Sequence, residues 1–244
     1  MKKKNLILIC ITGLLVSIVI VKSRSIIRFL KHNHTTFVKT THFHPKGLRG
    51  IDVSHYQKNI NWNKIDTTEV NFVFIKSTEG VSLTDRKFKT NMKEASKRDL
   101  LVGAYHYFHV NKDVKKQFEN FNSVVEKNDI SLPPLLDIED SKNMKRSEII
   151  SKINEWLKLV EKHYNTKSII YTTQRFYNTY LQGSFKDYKF IIARYNTKPP
   201  YLIDKRDYDF WQYTDKGQIN GISVYVDLQV FSGDKKELKN LYLK

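Results

Sequence analysis

The stretch PPLLDIED occupies residues 133–140 and joins an apolar, strand-like run to a cluster of acids. The two prolines end whatever element precedes them, and the run that follows has the pattern of a buried strand. Side chains alternate along a strand, so Asp137 and Glu139 project to the same side, about 6.5–7 Å apart at the backbone. Leu136 and Ile138 project to the other side, where helices would cover them. The stretch therefore predicts a core strand that ends in two carboxyl groups.

Similar β-rich runs recur from Pro45 onward, with helical patterns between the early ones. The eight predicted strands are residues 48–53, 72–77, 101–108, 135–139, 168–172, 190–195, 209–213 and 225–231. Residues 113–127 and 147–164 have apolar positions spaced three and four apart, as in amphipathic helices. Strand–helix alternation predicts a parallel sheet with helices outside it, and this many strands favour a closed barrel. After about residue 173 the gaps shorten and the helical patterns fade. The predicted fold is an α/β, single-domain, TIM-like β/α barrel with eight strands and a reduced set of helices, its last strands joined mainly by loops.

The positive charge of the chain is concentrated near its start. The chain has 244 residues and a formal net charge of +17. Residues 1–44 hold eight of the 42 basic residues and none of the 25 acids, so the later residues carry a net charge of +9. The later lysines are scattered and form no arginine-rich stripe. This distribution favours an anionic cell-envelope surface over nucleic acid as the electrostatic partner.

The first 21 residues predict a signal anchor that inserts into a membrane. Three lysines precede 17 uncharged residues at positions 5–21, and no small-residue cleavage site follows them. The only cysteine, Cys10, lies in this segment, so no intrachain disulfide can form. Residues 22–44 are basic and threonine-rich and predict a solvated stalk. We therefore expect a membrane-anchored protein whose folded part lies outside the cytoplasm (in the periplasm or at the cell surface), or a secreted one if residues 1–21 are cleaved.

Acids and aromatic residues also lie at the ends of the other predicted strands. In a β/α barrel, catalytic groups gather on the inward side at the carboxyl ends of the strands. The strand ends add Asp52, Tyr56, Glu79, Tyr105, Tyr107, Trp211, Gln212 and Asp227 to the first two acids. Such a cleft suits a sugar polymer, because hydroxyl groups need acceptors and sugar rings stack on aromatic planes. Trp62 and Trp156 are assigned to packing, and His106 and His109 receive no catalytic role.

The pair Asp137 and Glu139 has the composition that glycoside hydrolysis requires. Two carboxyls crowded in a poorly solvated site cannot both ionise easily, so one pKa rises. A protonated Glu139 would then protonate the leaving oxygen while an ionised Asp137 stabilises positive charge on the sugar. The alternative is that both acids pair with lysines at a sheet edge. The continuous apolar run and the double proline disfavour that alternative.

Nine segments, in order, resemble the glycoside hydrolase family 25 lysozymes, the Chalaropsis-type N-acetylmuramidases. They run from about residue 48 to residue 231 and read GIDVSHYQ, INW, FVFIKSTEG, VGAYHYF, LPPLLDIE, IIYTT, IIARYN, WQYTDKGQINGI and VDLQVF. The resemblance implies a catalytic barrel over residues 45–244 with fewer than eight helices. It also implies hydrolysis of the β-1,4 bond between N-acetylmuramic acid and N-acetylglucosamine in peptidoglycan.

The resemblance assigns roles to individual residues. Glu139 matches the general acid, and Asp137 matches a partner that stabilises the oxocarbenium-like state or orients the 2-acetamido group. Asp52 and Asp227 match two further acids at the floor of the cleft. The side chains expected to bind substrate are Tyr56, Glu79, Tyr105, Tyr107, Tyr171, Arg194, Trp211 and Gln212. No cofactor is implied, and no metal site is expected because no cluster of His, Cys and Asp has metal-ligand spacing.

This chain departs from the family pattern at two places: Lys58-Asn59 replaces the usual glycine after the first motif, and Phe190-Ile191 stands where tryptophan is common. Two other functions remain open at this point. A chitinase-like hydrolase also ends a strand in Asp-x-Glu, but its motif carries two upstream aspartates where this chain has proline and leucine. A lectin-like barrel would bind cell-wall glycan without cutting it. The expected partners are peptidoglycan strands, an anionic envelope surface and, through residues 1–21, a membrane.

Overall fold

The computed structural model describes residues 45–242. The nine strands are β1 (Leu48–Val53), β2 (Phe72–Glu79), β3 (Leu83–Thr84), β4 (Leu101–Tyr107), β5 (Leu135–Asp137), β6 (Ile169–Thr173), β7 (Phe190–Ala193), β8 (Phe210–Gly217) and β9 (Val226–Phe231). The helices are α1 (Phe88–Ala95), α2 (Val114–Asn122), α3 (Arg146–Tyr164), α4 (Gln174–Phe176), which continues into the π-helical turn Tyr177–Leu181, and α5 (Lys235–Lys239). Short 3₁₀ turns cover His55–Gln57, Trp62–Lys64 and Lys127–Asp129.

The strands form one closed barrel. Their order is β1-β9-β8-β7-β6-β5-β4-β2-β3, and an additional pairing of β1 with β2 closes the sheet. The two-residue strand β3 is a hairpin extension of β2 and lies outside the closed ring of eight. The predicted eight-stranded barrel with few helices is confirmed. The two helices predicted at residues 113–127 and 147–164 correspond to α2 and α3, whereas α1 was not predicted.

The expectation of an all-parallel sheet is wrong for the last strand. β9 runs antiparallel to both β8 and β1. A parallel connection needs a crossover of a dozen or more residues, and the shorter, helix-free residues 218–225 make only a reversal. Because β9 is reversed, its first residues lie at the same end of the barrel as the carboxyl ends of the parallel strands. This places Asp227 opposite Asp52 in the strand register.

Side chains fill the barrel at the end away from these acids. The centroid of the Phe210 ring lies 5.5 Å from that of Phe72 and 4.7 Å from that of Phe231. A Cβ atom on Gly50 would lie 2.1 Å from the Phe72 ring, so only glycine fits beside that phenylalanine. A Cβ atom on Gly103 would likewise lie 2.4 Å from the Phe74 ring, so this glycine makes room for Phe74. The barrel is thus a packed core that opens only at its other end.

Helices α2 and α3 cover one side of the barrel through an aromatic cluster. Trp156 of α3 is fully buried and stacks on His106, with ring centroids 4.7 Å apart. His106 points outward from β4 and pairs through Nδ1 with the Thr78 hydroxyl at 2.7 Å. Burial lowers the pKa of His106 to about 3, so this histidine is a neutral part of the packing. Trp62 is also buried, as the assignment of both tryptophans to packing predicted.

Among residues 45–242, no helix is both long enough and apolar enough to cross a membrane. The predicted signal anchor and stalk, residues 1–21 and 22–44, lie outside the described part of the chain.

Candidate active site

A pocket opens where the parallel strands end. All eight barrel strands, or the residues that directly follow them, contribute to it. Its lining residues are Asp52, Tyr56, Lys76, Tyr105, Tyr107, Leu135, Asp137, Glu139, Tyr171, Tyr195, Gln212 and Asp227. The four acids predicted to be catalytic are therefore brought together in one pocket.

The pair Asp137 and Glu139 lies at the end of β5. Asp137 is its last residue and is buried, whereas Glu139 follows the strand and is exposed at the pocket. Leu136 and Ile138 are fully buried on the opposite side, as the alternation predicted. The strand itself is two residues shorter than predicted. The two carboxyl groups are close enough to interact with each other, and a hydrogen bond between them can form only when one of them carries a proton.

Burial raises the pKa of both carboxyls in this pair. Burial is the largest cause for Asp137, and the charges of Glu139 and Asp52 raise its pKa further, to well above its usual range. Burial also raises the pKa of Glu139, while the hydrogen bond with Asp137 and the charge of Lys76 oppose that rise. Because the two carboxyls interact directly, we expect their titrations to be linked. The sequence predicted a raised pKa for Glu139 beside an ionised Asp137; burial raises the pKa of the deeper Asp137 as well.

Asp52 is held by two amide groups at the base of the pocket. Its Oδ2 accepts a hydrogen bond from Gln212 Nε2 at 2.7 Å, and its Oδ1 accepts one from Gln229 Nε2 at 2.6 Å. Gln212 Oε1 in turn accepts from the hydroxyls of Tyr171 at 2.8 Å and Tyr195 at 2.9 Å. Both tyrosines are donors, so they fix which side of the Gln212 amide faces Asp52.

Asp52 of β1 and Asp227 of β9 lie side by side on two adjacent antiparallel strands. Burial raises the pKa of Asp52 well above its usual range, the charge of Asp227 adds to this, and the two amide donors oppose it. Burial, Asp215 and Glu139 raise the pKa of Asp227 to about 6. Lys76 is the only cationic side chain among the lining residues. One cation cannot balance four carboxylates in a poorly solvated pocket, so ionisation of all four acids at once is disfavoured.

Five of the eight side chains expected to bind substrate line the pocket: Tyr56, Tyr105, Tyr107, Tyr171 and Gln212. Trp211 is not among the lining residues. It neighbours Gln212 on β8, and adjacent residues of a strand point to opposite faces. Its ring is 2% exposed, and its Nε1 donates to the Arg194 carbonyl at 2.8 Å.

Arg194 and Glu79 do not line the pocket either. The Arg194 guanidinium donates to the Pro199 carbonyl at 2.8 Å and so braces the loop after β7. Glu79 accepts from Lys76 Nζ at 2.6 Å and pairs with His109 Nε2 at 3.1 Å. Both charged groups are thus occupied by partners within the protein.

Lys76, Tyr195 and Leu135 line the pocket without having been predicted to do so. Lys76 could have been predicted from the sequence, because it lies two residues after Phe74 and four after Phe72 and therefore shares their inward face of β2. Tyr195 lies two residues beyond β7, and its place in the site is evident only from the hydrogen bond that its hydroxyl donates to Gln212. Among the residues that the structure describes, no three His, Cys, Asp or Glu side chains are grouped to hold a metal ion.

A closed barrel with neighbouring acids at its mouth is typical of barrel glycoside hydrolases. The family model described as "Glycosyl hydrolases family 25" matches residues 51–222. The chain therefore belongs to glycosyl hydrolase family 25 and is a glycoside hydrolase. The general activity of the lysozymes and muramidases of this family is the hydrolysis of peptidoglycan.

The chain is also similar to individual proteins and to solved structures. The chain is 34% identical to "Uncharacterized protein YegX" of Escherichia coli O6:H1, over 98% of this chain and 94% of that protein. It is 28% identical to Lysozyme M1 of Streptomyces globisporus, over 79% of this chain and 70% of that protein. The structure of a family 25 glycosyl hydrolase from Bacillus anthracis matches with a TM-score of 0.77 at 34% identity, covering 82% of this chain and 97% of that chain.

Proposed function

We propose that this protein is an N-acetylmuramidase that cuts the β-1,4 bond between N-acetylmuramic acid and N-acetylglucosamine in peptidoglycan. The observation that carries the proposal is the grouping of Asp137 and Glu139 in one pocket at the mouth of the barrel, where burial raises the pKa of both carboxyls. A raised carboxyl pKa keeps an acid available near neutral pH for a leaving oxygen. The family membership and the similarity to Lysozyme M1 support a bacterial cell-wall glycan as the substrate.

Glu139 is the general acid in this mechanism. It is the exposed member of the pair, so its carboxyl reaches a glycosidic oxygen in the pocket. When the shared proton passes to that oxygen, both carboxyls become anionic beside the sugar. Asp137 then stabilises the positive charge that develops on the ring or orients the 2-acetamido group, and Glu139 accepts a proton from the incoming water.

The remaining acids and aromatic residues bind and orient the glycan. Asp52 and Asp227 lie opposite each other and offer carboxyl oxygens to hydroxyl and amide groups of the sugar. Tyr56 is 70% exposed and lines the pocket, so its ring presents an apolar face to a pyranose. Tyr105 and Tyr107 of β4 complete the wall beside the acid pair.

The test is release of new reducing ends from purified peptidoglycan by the full-length chain. We expect Glu139→Gln to lower the rate by roughly 10²–10⁴-fold, because the general acid is lost. Asp140→Asn is the matched control. Asp140 is the adjacent exposed acid, is not among the lining residues, and pairs with Lys142, so that variant should keep wild-type activity.

Two outcomes of this assay would replace the proposal. Equal binding of peptidoglycan by wild type and Glu139→Gln, with no reducing ends from either, would favour a lectin-like function. Cleavage of chitin without cleavage of peptidoglycan would favour a chitinase-like hydrolase.

We also propose that residues 1–21 anchor the protein in a membrane, with the barrel outside the cytoplasm. The uncharged run at positions 5–21 behind three lysines supports the anchor, and the net charge of +9 after residue 44 suits an anionic envelope surface. Mass spectrometry of the N-terminal peptide in an alkali-washed membrane fraction tests this. An intact chain found only in the alkali-soluble fraction would contradict anchoring.

A further inference from the structure

The cation of the active site, Lys76, has a defined place in the structure. Its side chain is 9% exposed, its Nζ donates to Glu79 Oε2 at 2.6 Å, and this nitrogen lies 5.2 Å from the centroid of the Tyr107 ring. We propose that Lys76 is a positioning residue that supplies the positive charge facing the Asp137–Glu139 pair, and that Glu79 holds it there. This inference rests on the proposed function of that pair.

A β-bulge in β2 brings Lys76 and Glu79 together. Residues three apart in a regular strand point to opposite faces, so these two side chains would not meet. The register between β2 and β4 shifts between Lys76 and Thr78, which makes Ser77 the extra residue. The Ser77 hydroxyl donates to the Tyr105 carbonyl at 2.8 Å, and the alternation restarts beyond it. Glu79 is thereby turned to the side of Lys76.

Both carboxylate oxygens of Glu79 have a partner that favours the ionised form. Oε2 accepts from Lys76, and Oε1 pairs with His109 Nε2 at 3.1 Å. Burial raises the pKa of Glu79, but the hydrogen bonds and charges of Lys76 and His109 outweigh it, so the pKa lies below its usual range. Asn120 of α2 donates to the Gly80 carbonyl at 3.0 Å and so holds the turn after Glu79. This acid is therefore a counter-ion of Lys76.

The groups around Lys76 come from several strands. They are Glu79 on its own strand, Asp52 of β1, Tyr105, Tyr107 and His109 on and after β4, Asp137 and Glu139 on and after β5, and Asp227 of β9. Acids predominate, so a positive charge among them favours their ionised forms. Its attraction lowers the pKa values of Asp137 and Glu139 against the effect of burial. Without that charge the pair would retain its proton to higher pH.

The experiment measures the pH profile of peptidoglycan hydrolysis by full-length variants. We expect Lys76→Met to shift the alkaline limb of the activity profile to higher pH by on the order of one pH unit. The shift is small for a nearby charge, because the negative charge of Glu79 already offsets part of the charge of Lys76. Lys76→Arg keeps the charge and should keep the limb in place. Glu79→Gln should move the limb downward, since Lys76 then loses its counter-ion. Lys142→Met, an exposed lysine paired with Asp140, is the charge-matched control and should change nothing.

A purely structural role for Lys76 would lower activity at every pH without moving the limb. An unmoved limb in both Lys76→Met and Glu79→Gln, or movement of both in the same direction, would overturn the inference. If the wild-type protein releases no reducing ends, the proposed function fails separately. Titration of the side-chain carboxyl carbons by NMR in wild type and Glu79→Gln then tests the inference, and equal midpoints for the acid pair would contradict it.

Discussion

Gln212 connects three residues of the active site through one amide group, and Gln212→Met tests that connection. Its Nε2 donates to Asp52, and its Oε1 accepts from Tyr171 and Tyr195. Gln229 is the matched control, because its Nε2 donates to the other oxygen of Asp52 while its Oε1 has no hydrogen-bond partner. Both glutamines are buried, and methionine has a similar length without hydrogen-bonding groups.

The expected cost follows from the bonds that each change removes. Either replacement takes one donor from Asp52, at about 1.5–3 kcal/mol for a bond to a charged group. Gln212→Met also leaves the buried Tyr171 hydroxyl without its acceptor, which adds about 1–3 kcal/mol. Tyr195 is half exposed, so water replaces that bond. We therefore expect a loss in the free energy of unfolding of about 2.5–6 kcal/mol for Gln212→Met and about 1.5–3 kcal/mol for Gln229→Met.

Urea unfolding at neutral pH measures both losses, and peptidoglycan hydrolysis corrected for the folded fraction measures the effect on the site. Gln212→Met should lower activity more than Gln229→Met, since it also releases two tyrosines that line the pocket. Equal losses of stability and activity in the two variants would refute the idea that Gln212 organises the base of the site.

Three further predictions concern charge, packing and binding. Because the pKa of Asp227 is raised to about 6, its contribution to stability falls as pH rises through that value. Asp227→Asn should therefore be more stable than wild type above about pH 6 and equal to it below about pH 4, unlike the exposed control Asp207→Asn, in urea unfolding. Gly50→Ala should cost about 1–3 kcal/mol of unfolding free energy in the same assay, and Phe72→Leu in the double variant should restore part of it. Tyr56→Ala should raise KM for peptidoglycan about fivefold while Tyr56→Phe does not, since stacking on the ring contributes about 1 kcal/mol.

Local alternation was enough to predict the strand that carries the acid pair. In residues 135–139 the apolar and acidic positions fall on opposite faces, and the structure places Leu136 and Ile138 against the outer layer as that pattern requires. The helices α2 and α3 were predictable for the same reason, because their apolar positions repeat at helical spacing. The short, less regular α1 carries a weaker signal and was missed.

Features that depend on pairing between strands were not predictable in this way. The reversal of β9 follows from a connection too short for a crossover, and the sequence alternates equally well in either direction. The bulge at Ser77 exists only in the register between β2 and β4, so the contact of Lys76 with Glu79 was not visible in the sequence. Tyr195 was missed because its hydroxyl meets Gln212, which lies on a different strand.

The interaction of the two acids is tested by an NMR titration of the Asp137 and Glu139 carboxyl carbons in the wild-type protein, with Glu139→Gln used to assign the signals. We predict that the pair retains one proton above pH 4.5, the usual value for a glutamate side chain. We also predict that the two signals move together, as expected for a shared proton. Independent titration of both groups at about pH 4, the value for free side chains, would contradict it.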